Sequence, residues 1–133
     1  MAAALCLAVN MAIRAALPLD AFTLSWTHSI EKTRWEEDWR VDGDRLRLVA
    51  ARVQGSGAGM EPPQGAVLSD GSWHWRPALA PIARLRLAVS PYTDDYRLCA
   101  TKGAQQQCRP LTELAGIDRQ PGTIDLLACP ARE

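Results

Sequence analysis

Between Phe22 and Ile30 the chain alternates without a break. Phe22, Leu24, Trp26, His28 and Ile30 interleave with Thr23, Ser25, Thr27 and Ser29. A period of two is the pattern of a β-strand with one buried face and one hydroxyl-lined face. After Ile30 the phase changes, and Trp35, Trp39 and Val41 fall on odd positions. A one-residue change of phase needs a turn, a bulge or a new element. The rival to strand–turn–strand is a short helix. Thr33 to Glu36 has the spacing of a capping box, and Trp35 and Trp39 stand one helical turn apart. The preceding alternation favours strand–turn–strand.

The rest of the chain repeats short apolar segments between turn residues. Asp42-Gly43-Asp44 predicts a hairpin turn, because Asp-Gly accepts the positive φ such turns require. Arg45 to Gln54 reads as a strand of mixed phase. The glycines at 55, 57 and 59, with Pro62-Pro63, forbid regular structure between it and the next element. A second hairpin is expected from Ala66 to Arg76 about Asp70-Gly71, with Trp73 and Trp75 on one face as core. Ala83, Leu85, Leu87 and Val89 alternate as a half-buried strand, and Tyr96 to Ala100 and Thr123 to Ala128 supply others. Pro110 to Ala115 predicts one or two helical turns, with Pro at a permitted first position. The expected fold is all-β: an antiparallel sandwich or partly open barrel, with one short helix near the C-terminus. One domain over residues 1–133 is the expectation from length. Residues 1–17 read either as a clipped signal-like segment or as a first β-hairpin about Asn10-Met11, and their apolar run is too short for a transmembrane segment.

Fifteen basic and fifteen acidic side chains cancel. A chain without net charge offers no general field for nucleic acid or an anionic membrane, so neither is an expected partner. The four cysteines include no C-x-x-C pair, which argues against zinc and dithiol redox chemistry. Cys99 and Cys108 flank a short loop suited to a disulfide-closed hairpin, and Cys6 and Cys129 could tie the two ends of the sequence together. Pairing implies an oxidising compartment.

Chemistry concentrates early. His28-Ser29 with Glu31, Glu36, Glu37 and Asp38 invites a hydrolase reading with His28 as general base, but adjacent strand residues point to opposite faces, and no nucleophile elbow is present. Two histidines on separate segments show no metal-ligand spacing, and no cofactor is expected. The glycine-rich segment matches no phosphate loop, yet its backbone N–H groups, with Lys32, Arg34 or Arg40 nearby, could hold a small anionic ligand. Trp35 and Trp39, set among charges, are expected to cover a cleft or contact a partner.

Three stretches carry a family resemblance: Trp26-Thr27-His28-Ser29-Ile30-Glu31-Lys32, then Trp35-Glu36-Glu37, then Gly55-Ser56-Gly57-Ala58-Gly59-Met60 before Pro62-Pro63. In order and spacing they resemble the bacterial family catalogued as domain of unknown function 1850. The resemblance runs from about Phe22 to Cys108. It implies a small extracytoplasmic, periplasmic protein. Members are often encoded beside, or attached to, permeases of tripartite periplasmic solute transporters. A permease or its solute-binding protein is the partner it implies. Together the readings predict a non-enzymatic accessory or ligand-binding domain. Its binding surface would be built from His28, Glu31, Lys32, Trp35 and Glu36 against Gly57, Ala58, Gly59 and Met60.

Overall fold

Short alternating segments can hide their apolar sides only by pairing into sheets and stacking those sheets. The computed structural model describes residues 4–28, 32–54, 64–92, 94–102, 105–118 and 121–129. In chain order these form β1 (Leu5–Val9), β2 (Ala12–Leu17), β3 (Ala21–Thr27), β4 (Arg34–Asp42), β5 (Arg45–Gln54), β6 (Val67–Ser69), β7 (Ser72–Trp75), β8 (Leu85–Val89), β9 (Arg97–Lys102), β10 (Gln105–Pro110), α1 (Leu111–Ala115) and β11 (Gly122–Ala128). The smaller sheet runs β2-β1-β11-β8 and the larger β10-β9-β3-β4-β5-β7-β6. Both are antiparallel, and neither closes into a barrel.

The core lies between the sheets. Leu5, Leu7, Leu87, Val89, Ile124 and Leu126 come from the smaller one, and Phe22, Leu24, Trp39, Leu46 and Leu98 from the larger. Each such side chain contributes about 1.5–3 kcal/mol on transfer from water. Helix α1 adds Leu111 and Ala115. It begins at Leu111 after Pro110, which is the N-cap and not the first helical residue. It is capped by Gly116, whose φ of 68° is left-handed and whose N–H bonds to the Glu113 carbonyl at 3.1 Å.

Both changes of phase have physical causes. The first is a turn between β3 and β4: the His28 N–H donates to the Thr33 carbonyl and the Lys32 N–H to the His28 carbonyl, each at 2.9 Å. Lys32 takes the positive φ of 58°. The rival helix at Thr33 does not form, since Arg34–Asp42 is strand. The second is a bulge in β5. Asp38 stands opposite Ala50 and Trp39 opposite Leu48, so Val49 is an extra residue. Leu46 therefore points to the core before the bulge, and Ala51 and Val53 point inward after it. Trp39 is buried at 3% exposure, a core residue and not the cleft cover its charged neighbours suggested. Trp73 and Trp75 share a face but are only half-buried.

Two hairpins turn on pairs of positive-φ residues, Asn10-Met11 between β1 and β2 and Asp70-Gly71 between β6 and β7. That backbone twist matches the twist of the flanking strands. Disulfides join Cys6 to Cys129 and Cys99 to Cys108, the latter pair directly opposed on β9 and β10. Among the described residues no helix is long and apolar enough to cross a membrane.

Candidate functional site

Strand alternation sorts the charged and aromatic residues of β4 onto two faces. Glu36 stands opposite Ser25 and Arg52, and Arg52 opposite His74, so these lie on the outer face of the larger sheet. Arg34 and Asp38 share that face. Trp35, Glu37 and Trp39 point the other way, toward the smaller sheet and its rim. The structure thus places Trp35 and Glu36 on opposite sides of one strand.

The outer face is an ionic net. Arg52 donates from Nε to Glu36 at 2.9 Å, and from Nη1 and Nη2 to the two oxygens of Asp38 at 2.8 and 3.1 Å. The Thr23 hydroxyl donates to Asp38 at 2.7 Å. Burial pushes the Asp38 carboxyl up, but the hydrogen bonds from Arg52 and Thr23, with the charges of Arg52 and His74, outweigh it and hold the group below the usual range. Arg34 is less engaged. Half of its side-chain surface is exposed, and its ion pair with Glu36 is 3.5 Å long.

Two open hollows flank Arg34. One, of about 260 Å³, is lined by Ser25, Trp26, Thr27, Arg34, Asp94, Asp95, Arg97 and Pro110. The other, of about 360 Å³, is lined by Arg34, Glu36, Arg52, Gln54 and Ser72. Asp95 also tethers α1, because one carboxylate oxygen accepts from the Thr112 N–H at 3.3 Å and from its hydroxyl. Its other oxygen is buried without a hydrogen-bond partner among the described residues.

On the inner side, aromatic rings form a row across the sheet. Tyr96 meets Trp26 at 5.6 Å, Trp26 stacks on Trp35 at 6.2 Å with planes 8° apart, and Trp35 and Trp75 pack edge to face at 6.4 Å. Trp35 Nε1 is buried and has no hydrogen-bond partner among the described residues. Glu37 sits beside this row and accepts from Trp39 Nε1 at 3.2 Å. Burial raises the Glu37 carboxyl above its ordinary value despite that hydrogen bond. Burial and the Glu37 charge together raise the Tyr96 hydroxyl.

Of the residues singled out from sequence, His28 and Lys32 form the β3–β4 turn and are exposed, Trp35 joins the aromatic row, and Glu36 joins the ionic net. Glu31, Gly57, Ala58, Gly59 and Met60 lie outside the described residues. Gln54, the residue before the glycine-rich segment, lines the second hollow with Arg34. Sequence reasoning passed over Arg52, Trp26 and Tyr96 as site residues, and weighed Glu37 only as one of the carboxylates near His28. Arg52 is sixteen positions from Glu36, and only the strand register joins them. Glu37 had a legible signal: it alternates in phase with Trp35 and Trp39. Among the described residues no group of three His, Cys, Asp or Glu side chains could hold a metal ion.

Comparison with curated proteins and with solved structures finds no match. A family model does match, over residues 22–108, and is described as a domain of unknown function, DUF1850. That span opens at Phe22 on β3 and closes at Cys108 of the β9–β10 disulfide, so it takes in β4, both of its faces and both hollows' Arg34. With most of its length inside the match, this chain belongs to the DUF1850 family.

Proposed function

We propose that the domain is a non-catalytic extracytoplasmic binding module that takes a small anionic solute at Arg34 and works beside a tripartite solute transporter. The observation that carries the reading is the state of Arg34. Arg52 is saturated by two carboxylates, whereas Arg34 is half exposed, has one long ion pair among the described residues and stands between two hollows. A guanidinium so placed can meet a carboxylate or phosphate with two parallel N–H donors. The hollows lie near the lower end of ligand-site volumes, which suits a solute of a few heavy atoms. Two disulfides support an oxidising, periplasmic setting. The transporter link rests on what the family resemblance implies.

Thermal shift with succinate and with inorganic phosphate tests the anion. Binding stabilises the fold by about 2.7 kcal/mol at a hundredfold excess over Kd. The expected result is a saturable rise in Tm that Arg34→Ala removes. An equal rise in Arg34→Ala, or none in the wild type, ends the reading. The partner is tested by co-purification with the permease or its solute-binding protein. Replacing Trp35 and Glu36 by Ala is expected to abolish capture, and unchanged capture counts against docking through β4.

A further inference from the structure

The inner side of β4 has chemistry that an anion site on the outer face does not use. Glu37 stands opposite Leu24 on β3 and Ala51 on β5, and Ala51 stands opposite Trp75 on β7. One step along the same face, toward the turn, Trp35 stands opposite Trp26. One step the other way is Trp39, which donates to Glu37. Tyr96 closes the row beyond Trp26. The carboxylate therefore shares one face of the sheet with these aromatic side chains, and in the register only the small side chain of Ala51 stands between it and Trp75.

Two properties of this arrangement select a ligand. Glu37 has no ion pair among the described residues, and the nearby arginines of β4 and β5, Arg34 and Arg52, lie on the opposite face. The ring faces carry negative quadrupole potential, which adds to the carboxylate. An anion is repelled here, and a neutral ligand leaves the charge uncompensated. A bare metal ion or primary ammonium would trade strong hydration for ring faces that accept hydrogen bonds poorly. A methylated ammonium gives up little hydration and gains both the charge and the rings. Trp26, Trp35, Glu37, Trp75 and Tyr96 are all partly exposed, so the group is within reach of solvent.

We propose that Glu37, with Trp26, Trp35, Trp75 and Tyr96, forms a second site that binds a small organic cation of the quaternary or methylated ammonium type. Its carboxylate lies on the other side of β4 from Arg34, although Trp26 also lines one of the hollows beside Arg34.

Tetramethylammonium is the probe, with tert-butanol as its uncharged counterpart of similar shape. Titration of the wild-type protein is expected to change tryptophan emission saturably and to shift the probe's methyl proton resonance upfield through the ring currents. tert-Butanol is expected to bind at least roughly tenfold more weakly. Glu37→Gln keeps an acceptor for Trp39 and is expected to weaken the probe by a similar factor, while Arg34→Ala leaves its affinity unchanged. Displacement of the probe by phosphatidylcholine vesicles assigns the group to a lipid headgroup, and no displacement assigns it to a free solute; both support the site. Equal binding of the two probes, no ring-current shift, or a Glu37→Gln titration matching the wild type overturns the proposal. The Arg34→Ala control keeps its failure separate from that of the anion site.

Discussion

Glu37 and Asp38 are adjacent carboxylates held in opposite senses, and the strand's alternation is the reason. Asp38 meets Arg52 and Thr23 on the outer face and is held below its ordinary value of 3.8 although burial acts against it. Glu37 meets Trp39 and burial, and is raised above 4.5. The pH consequences have opposite signs. Stability contributed by Asp38 is complete above the unfolded-state pKa and is lost as pH falls through the lower folded value. Glu37 is the reverse: its ionisation opposes folding, so the stability it allows is complete below the unfolded pKa and is lost as pH rises through the higher folded value. Glu37→Gln is therefore expected to melt above the wild type at neutral pH, with the gap closing as pH falls toward 4.5. Asp38→Asn is expected to cost about 1 kcal/mol at neutral pH, a charged hydrogen bond discounted for partial exposure. That deficit vanishes in acid. Melting curves across the acid and neutral range check both, and pH-independent gaps would contradict the assignment of either shift.

At the scale of elements, β5 decides where the site can be. Without the extra residue at Val49, Arg52 would turn inward and Ala51 and Val53 would turn to solvent. The outer net would lose its bridging cation, and the inner face would lose the small residue between Glu37 and Trp75. Deleting Val49 is thus expected to unfold the sheet or lower Tm by well over ten degrees, while Val49→Ala costs only about 1 kcal/mol. Differential scanning calorimetry distinguishes the two, and similar Tm values for both variants would show that the register does not depend on the bulge. The bulge also marks what was legible. The mixed phase of Arg45 to Gln54 is visible in the sequence, but a period of two does not say which residue is extra, because the partner strand decides that. The Asp-Gly turns, the short helix at Pro110 and the mainly β class were legible because their signals are local. The pairing of Arg52 with Glu36 and Asp38 was not, because it depends on long-range register. Trp39 was misread for a related reason: the charges directly beside it, Asp38 and Arg40, face the other side of β4, so they report nothing about its burial.

For the whole molecule, the two disulfides constrain very different lengths of chain. Cys6–Cys129 closes a separation of 123 residues and Cys99–Cys108 one of 9. Loop closure entropy assigns about 5 kcal/mol to the first and about 2–3 kcal/mol to the second. Packing points the same way. β1 and β11 pair over Leu5 to Ala8, and their inward residues Leu5, Leu7, Ile124 and Leu126 fill one side of the core. Loosening them opens the sandwich along its length. β9 and β10 are already joined through six paired positions, and β10 lies at a sheet edge, so its release leaves the core between the sheets closed. Replacing Cys6 and Cys129 by Ala is therefore expected to lower the urea midpoint by about twice as much as replacing Cys99 and Cys108, with both proteins unfolding in one transition. Reduction of the wild type is expected to reproduce the sum of the two losses. If the Cys99 and Cys108 variant proves the less stable, the edge hairpin and the α1 that follows it hold more of the fold than the paired terminal strands do, and the order of unfolding runs from that edge inward.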